Sequence, residues 1–165
     1  MCQKTISMCQ GKGSLSHNNR AFAAKNIDSS RTADNITFVH QNLRDAYDIL
    51  FSDAVERYNA RQKRNDRRIP DYFQHLFSCE LSASVIIGTN KQKSFYEDLV
   101  QIGTKDDTGV GTPDSEIAVA CLREYMEDFS ERNPNFYVFN AVMRLDEATP
   151  HLHIDYIPVG ISAMV

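Results

Sequence analysis

Two strand-like runs near the C-terminus, joined by a short acidic turn, constrain the fold of this chain most. The runs cover residues 136–145 and 151–159, and the turn is Asp-Glu-Ala-Thr-Pro at 146–150. Each run is long enough for one strand, and a connection of this length is typical of a β-hairpin with a longer loop. The pattern therefore predicts an antiparallel hairpin, and with it a sheet that other strands can extend.

The second run alternates polar and apolar side chains. Since successive side chains of a strand point to opposite faces, His151, His153 and Asp155 share one face. The other face is expected to point to the core and carries Leu152, Ile154 and Tyr156.

Two imidazoles two residues apart on one face can bind one divalent ion. A third ligand would come from the paired strand or from its turn, where Glu147 lies. The alternative is a pair of surface histidines on an edge strand, and the spacing leaves both open.

A helical repeat begins at Leu43, where apolar residues recur at positions i, i+3, i+4 and i+7. We expect an amphipathic helix over residues 42–64. Its last turns run into residues 57–68, which we call the basic segment and which hold six of the chain's 18 Lys and Arg residues. Although the net charge is −4, a local cluster of cations attracts an anionic ligand more than the total charge suggests. The alternative is a solvated helix end.

Further elements predict an α+β fold. We expect short strands at residues 3–9 and 36–39, a strand at 95–102, a short helix near Pro70 and a helix over about 115–132. Residues 81–89 are ambiguous, and 104–112 is expected to be a loop.

The composition fits one soluble domain over residues 1–165. The chain is 42% hydrophobic and 24% charged, and it has neither an apolar run long enough for a membrane span nor an apolar secretory signal. Its four cysteines show no CxxC spacing. We expect reduced thiols and a cytoplasmic location.

A polar loop at residues 11–20 holds a second candidate site. Its glycines are expected to let the backbone approach a ligand. His17 lies between Lys12 and Arg20, which suits an anionic substrate. The alternative is a solvated loop histidine, and we interpret His40 and His75 as structural or surface residues.

Four segments in order, at 11–20, 61–72, 100–107 and 146–153, resemble the plasmid mobilisation/recombination (Mob/Pre, MobV-type) relaxases of bacteria. The resemblance implies an α+β fold like that of the HUH endonucleases, with a central antiparallel β-sheet, helices packed on one face and a metal site on the other. It also implies that this domain is the N-terminal part of a longer protein, which dimerises through the missing C-terminal region.

The resemblance implies metal-assisted nicking of one plasmid DNA strand at an origin of transfer, with a covalent protein–DNA intermediate. By motif position, His17 is the nucleophile, with Arg20 and Glu147 as catalytic partners and His151 and His153 as metal ligands. Asn35 matches a second motif poorly. The single strand would be held by the basic side chains Lys12, Arg61, Arg64, Arg67 and Arg68.

One position departs from the family pattern His-x-Asp-Glu-x-Thr-Pro-His-x-His, because Arg144 stands where its first histidine is expected. A guanidinium cannot ligate a metal, and its charge repels a dication. We therefore expect Mn²⁺ or Mg²⁺ to bind weakly or not at all, with Arg144 on the site face. One alternative is an expected pairing of Arg144 with Glu147 or Asp155, and another is a metal site completed by other groups such as Glu147 and water.

Three alternatives stay open. The chain is a homologue that only binds its origin DNA, or an unrelated metal-dependent hydrolase, or its nucleophile is a tyrosine. Tyr47 and Tyr58, both on the apolar side of the long helix, are interpreted as core residues.

Overall fold

The computed structural model describes residues 4–22, 25–77, 86–87 and 92–160. The strands are β1 (Ile6–Gln10), β2 (Ile36–His40), β3 (Ile86–Ile87), β4 (Gln92–Lys93), β5 (Tyr96–Ile102), β6 (Phe136–Arg144) and β7 (His151–Pro158). The α-helices are α1 (Leu15–Asn18), α2 (Leu43–Ala60), α3 (Tyr72–Phe77), α4 (Lys105–Thr108), α5 (Ser115–Glu127) and α6 (Phe129–Arg132). Short 3₁₀ turns occupy Ser29–Asp34 and Asn65–Arg67.

Five strands form one antiparallel sheet in the order β1-β5-β7-β6-β2, and β3 and β4 form a separate pair. The predicted hairpin is confirmed as β6 and β7, and β7 lies at the centre of the sheet between β5 and β6. Its residues from His151 to Ile157 are therefore buried on both faces. This position removes the alternative of surface histidines on an edge strand.

The two faces of the sheet carry different helices. On the face of Leu152, Ile154 and Tyr156, α5 and α6 pack through Leu122, Met126 and Phe129. This confirms the predicted core face of β7 and a sheet with helices packed against it. On the histidine face, α2 and α3 form an aromatic cluster around Ile157, further along β7. The histidines thus lie beside a helical layer.

The long helix is shorter than the repeat predicted. It ends at Ala60, with Arg61 as its C-cap, so most of the basic segment lies beyond the helix. The side chain of Asn59 donates to the Ile69 carbonyl and accepts from the Ile69 N–H, both at 2.8 Å. These two bonds fold the chain back and stop the helix.

The two tyrosines of the long helix and the predicted loop at 104–112 differ in how they agree with the sequence predictions. Tyr47 is a core residue whose hydroxyl donates to the Ser94 carbonyl at 2.7 Å, but Tyr58 is 44% exposed and its interpretation as core is wrong. The predicted loop at 104–112 contains α4, because Thr104 and Asp107 form a capping box.

The thiols and helices add two findings. Cys9 and Cys121 are free and exposed, whereas Cys2 and Cys79 lie outside the described residues, as does most of 81–89. Within the ranges that the structure describes, no helix is long and apolar enough to cross a membrane.

Candidate functional site

The hairpin register brings the predicted site residues onto one face. Arg144 pairs with His151, Val142 with His153 and Asn140 with Asp155. Directly opposed residues project from the same face of an antiparallel pair. The predicted position of Arg144 beside the histidines is therefore what the structure shows.

The two histidines form a converging pair. Their Nε2 atoms are 3.1 Å apart, and both side chains are buried. The Nδ1 atom of His151 donates to the Thr149 carbonyl at 2.8 Å, and Nδ1 of His153 donates to Glu97 Oε1 at 2.6 Å. Because acceptors hold both Nδ1 atoms, the Nε2 lone pairs point towards each other, an arrangement typical of imidazoles prepared to share a cation.

Glu97, which the sequence analysis missed, is the central acid of this face. It lies on β5 opposite Asp155, is 3% exposed, and accepts hydrogen bonds from His153, Asn18 and the Gly13 N–H. Burial alone would raise the pKa of this carboxyl, but the contacts with His153, Gly13 and Asn18 lower it. A signal was present in the sequence, since Glu97 is a charged residue between the apolar Phe95 and Leu99 on one face of the strand predicted at 95–102.

The glycines of the 11–20 loop let the backbone contact the Glu97 carboxylate. Gly13 has φ +67° and donates its N–H to Glu97 Oε2 at 2.5 Å. A Cβ on Gly11 would lie 2.0 Å from the same oxygen. The backbone thus closely approaches a protein carboxylate, where the sequence predicted a ligand.

A second network fixes the hairpin turn. Arg20, in the left-handed region at φ +55°, donates two hydrogen bonds to Asp146, at 2.6 and 2.9 Å. Asn35 donates to Asp146 at 2.8 Å and accepts from the Leu145 N–H. The Asp146 side chain is fully buried, and although burial opposes ionisation, Arg20 and Asn35 hold the pKa of Asp146 well below its usual range. Asn35 therefore has a clear structural role.

His17 is placed by the same network. Arg20 donates to Glu147 Oε1 at 2.7 Å and to the His17 carbonyl at 3.1 Å. Glu147 Oε1 lies 3.6 Å from His17 Nε2, and the rings of His17 and His153 are 6.0 Å apart at their centroids. Partial burial and the charge of Arg20 lower the pKa of His17, which favours the neutral imidazole. Its side chain is 27% exposed, so a ligand can reach it.

Arg144 is the unusual member of the site. It is 3% exposed, and among the described residues its Nε has no hydrogen-bond partner. Burial and the neighbouring Arg20 lower its pKa to about 10, although Asp146 and Glu147 act in the opposite direction. Among the described residues no ion pair joins Arg144 to a carboxylate, so the expected pairing with Glu147 or Asp155 is not formed.

Asp155 is instead held by amides. Asn18 donates to both of its oxygens, at 3.0 and 3.3 Å, and Asn140 donates at 2.7 Å. Burial raises the pKa of Asp155 to about 7, and nearby Glu97 adds to the shift. His40 extends the network through Asn140, which agrees with its structural interpretation.

The donor set does not fit the metal site that the resemblance implies. The converging Nε2 atoms of His151 and His153 suit a cation, since nitrogen ligands of one ion lie ~2 Å from it. However, no three His, Cys, Asp or Glu side chains are grouped as metal ligands in the described part of the chain. The third position holds the buried guanidinium of Arg144, which adds positive charge.

The predicted DNA-binding residues lie apart from this centre. Lys12 is an exposed side chain of the 11–20 loop, next to the Gly13–Glu97 contact. Arg61, Arg64, Arg67 and Arg68 follow α2 and lie at the surface. Arg64 pairs with Asp66 at 2.6 Å, and both side chains are more than 60% exposed.

A family model described as plasmid recombination enzyme (Mob_Pre) matches residues 25–161, most of the chain. The chain belongs to this family. This membership sets aside the alternative of an unrelated metal-dependent hydrolase. It covers the turn, Arg144 and both histidines, whereas His17 and Arg20 precede the matched region. No curated protein sequence matches the chain.

Solved structures of one protein also resemble the chain. Mn-bound crystal structures of the MobM relaxase domain with plasmid pMV158 oriT DNA, at pH 5.5 and pH 6.8, are each 19% identical to it. Both alignments cover 98% of this chain and 75% of the other, with TM-scores of 0.44 and 0.48.

Proposed function

We propose that this member of the plasmid recombination family is a relaxase that nicks one strand of plasmid DNA at an origin of transfer. The observation that carries the proposal is the meeting of His17 with His153 and Glu147, from opposite ends of the chain, in one partly open site. A neutral imidazole with one exposed side, held beside a fixed carboxylate, is suited to nucleophilic attack.

In the proposed reaction, the lone pair of the neutral His17 imidazole forms an N–P bond with the scissile phosphate. The P–O3′ bond breaks, and the leaving 3′ oxygen takes up a proton from solvent to give a free 3′-OH. The 5′ phosphate stays on the protein as a phosphoramidate, so the energy of the broken bond is kept for rejoining. Glu147 orients the His17 ring, and Arg20 holds Glu147 in place.

The basic residues would hold the single strand outside the reacting centre. Phosphate contacts give affinity and register without adding to the bond-making step. We assign this role to Lys12, Arg61, Arg64, Arg67 and Arg68, whose exposed positions suit it.

A second candidate function is origin binding without nicking, and Arg144 is the observation that favours it. A fixed cation in place of a ligating histidine weakens the affinity for a metal that phosphoryl transfer commonly uses. A chain of this kind would bind its origin DNA, as a repressor does, and leave it intact.

One assay separates the two functions. Single-stranded oligonucleotides that tile the DNA around the gene are labelled at the 3′ end, because the 3′ fragment is the one that stays on the protein. A relaxase gives labelled protein that survives denaturing electrophoresis and loses its label in acid, as a phosphoramidate does. Retention on native gels without any labelled protein would establish the binding-only function.

A further inference from the structure

The buried guanidinium of Arg144 lacks the partners that such a group requires. An arginine stays charged in proteins, and a buried charge is strongly unfavourable unless it is paired and hydrogen-bonded. Arg144 is 3% exposed, yet its Nε atom has no hydrogen-bond partner in the part of the chain that the structure describes. The group is therefore ready to bind an acceptor that the protein itself does not supply.

The acids around Arg144 are engaged elsewhere. Asp146 and Glu147 both accept from Arg20. Glu97 accepts from His153, and Asp155 accepts from two asparagine amides. These contacts hold each carboxylate in a position from which it makes no ion pair with Arg144 among the described residues, so the guanidinium is left for an external anion.

The position of Arg144 indicates which anion. It lies opposite His151 in the hairpin, on the face that also holds His153 and beside the turn that orients His17. A phosphate group attacked by His17 would lie within this cluster. The planar guanidinium fork matches phosphate oxygens, which accept two parallel hydrogen bonds from it.

We infer that Arg144 binds a phosphodiester of the single strand in the position of a divalent ion, so that this chain holds its DNA at the site without metal. The inference rests on the proposed function, because it takes single-stranded DNA as the ligand. On this inference, Arg144, which departs from the family pattern, supplies the positive charge that a metal would supply. No step here requires a change of bonds.

The first test is on the parent chain. Binding of a fluorescent oligothymidylate is measured in EDTA and again with Mn²⁺, and we expect dissociation constants that agree within twofold. Loss of binding in EDTA with recovery in Mn²⁺ would overturn the inference and leave the proposed function standing. If oligothymidylate binds under neither condition, the same comparison is made with the tiled oligonucleotides, and failure of all of them to bind would overturn both.

The second test uses variants in EDTA. Arg144→Gln is expected to weaken oligothymidylate binding about tenfold and to reduce its salt slope by ~0.7, the loss of one single-strand phosphate contact. Arg144→Lys keeps the charge without the planar fork, so its affinity for oligothymidylate should lie between those of the parent and Arg144→Gln. Arg123→Gln, which removes an exposed cation of α5, is the matched control and should bind like the parent.

Thermal melting completes the design. All variants are first shown to fold by circular dichroism, and the Lys variant is used if the Gln variant does not. Equal affinity of Arg144→Gln and the parent would contradict the inference. A melting shift by inorganic phosphate that depends on Arg144, without any such dependence for the oligonucleotide, would also contradict it, because the site would then take a free anion.

Discussion

Cations occur in two regions of this protein under opposite conditions, in the site around the β6–β7 turn and in the basic segment after α2. Arg20 and Arg144 are buried or nearly so, and Arg20 joins residues more than 100 positions apart in sequence. Arg64 is exposed and pairs with a neighbour two residues away. The cations of the site depend on long-range contacts for their positions. The cations of the basic segment are exposed to a ligand and do not depend on such contacts.

This contrast indicates that the density of charged residues along the sequence is a poor guide to the strength of their electrostatic interactions. Six cations in residues 57–68 face water, where ion pairs contribute little. Two arginines in the site act in a partly buried environment, where charges are screened much less.

The largest expected effect concerns His17. His17→Ala should abolish the covalent adduct, because it removes the nucleophile, while oligonucleotide affinity stays within about twofold, because cations hold the backbone. The adduct is measured on denaturing gels with the 3′-labelled pool. His75→Ala, which changes an exposed histidine of α3, is the control. An adduct that persists in His17→Ala would assign the chemistry to a tyrosine.

The next effect separates the two regions by stability. Asp146→Ala should lower the free energy of unfolding by about 3 kcal/mol, since it removes the buried carboxylate that Arg20 and Asn35 share and leaves Arg20 with Glu147 alone. Asp66→Ala removes the exposed partner of Arg64 and should change the free energy of unfolding by no more than about 0.5 kcal/mol. Urea titrations of both variants and the parent measure the difference. Equal costs would remove the contrast between the regions.

The stabilisation that Asp146 provides should depend on pH. The folded pKa of Asp146 is below its ordinary value of 3.8, so its stabilisation is present above pH 3.8 and is lost as pH falls through the folded pKa. The gap in unfolding free energy between the parent and Asp146→Ala should therefore narrow below about pH 4. A gap that stays constant down to pH 2 would show that the ionised form has no special role.

The sequence pattern predicted part of the fold and of the site. Alternation was enough for the hairpin, its core face and the meeting of Arg144 with His151, because register follows from a period of two. Glu97 was missed because its importance depends on which strand lies beside β7, and strand order is a long-range property. The end of α2 was missed because the polar residues 61–64 are compatible with a helix, and the bonds between Asn59 and Ile69 that stop it form only when the chain folds back.

A smaller effect is expected at Arg144. Arg144→His exchanges a fixed cation for an imidazole and should raise Mn²⁺ affinity at least tenfold, because it adds a third nitrogen ligand. Calorimetric titration of the parent and the variant with Mn²⁺ measures this. Tight and equal binding by both proteins would mean that other ligands complete a metal site in the parent.

The smallest effect belongs to the basic segment. Replacement of Arg64, Arg67 and Arg68 by Ala should reduce the salt slope of oligonucleotide binding by at most ~2, about 0.7 for each lost phosphate contact, with little change in unfolding free energy. Fluorescence anisotropy over a range of salt concentrations provides the slope.

The control for this triple variant removes three exposed cations elsewhere, Lys105, Arg123 and Arg132. It matches the change in net charge and should leave the slope close to that of the parent. Equal slopes for the triple variant, its control and the parent would identify the basic segment as a solvated chain segment after α2.

The central claim, that His17 becomes covalently joined to DNA, is tested most directly by peptide mass spectrometry of the parent chain. The adduct from the tiled oligonucleotides is digested with nuclease and protease at neutral or higher pH, which preserves an N–P bond. If His17 is the nucleophile, the peptide that contains it carries a nucleotide mass, which is lost after acid treatment. A modified tyrosine peptide that survives acid would contradict it.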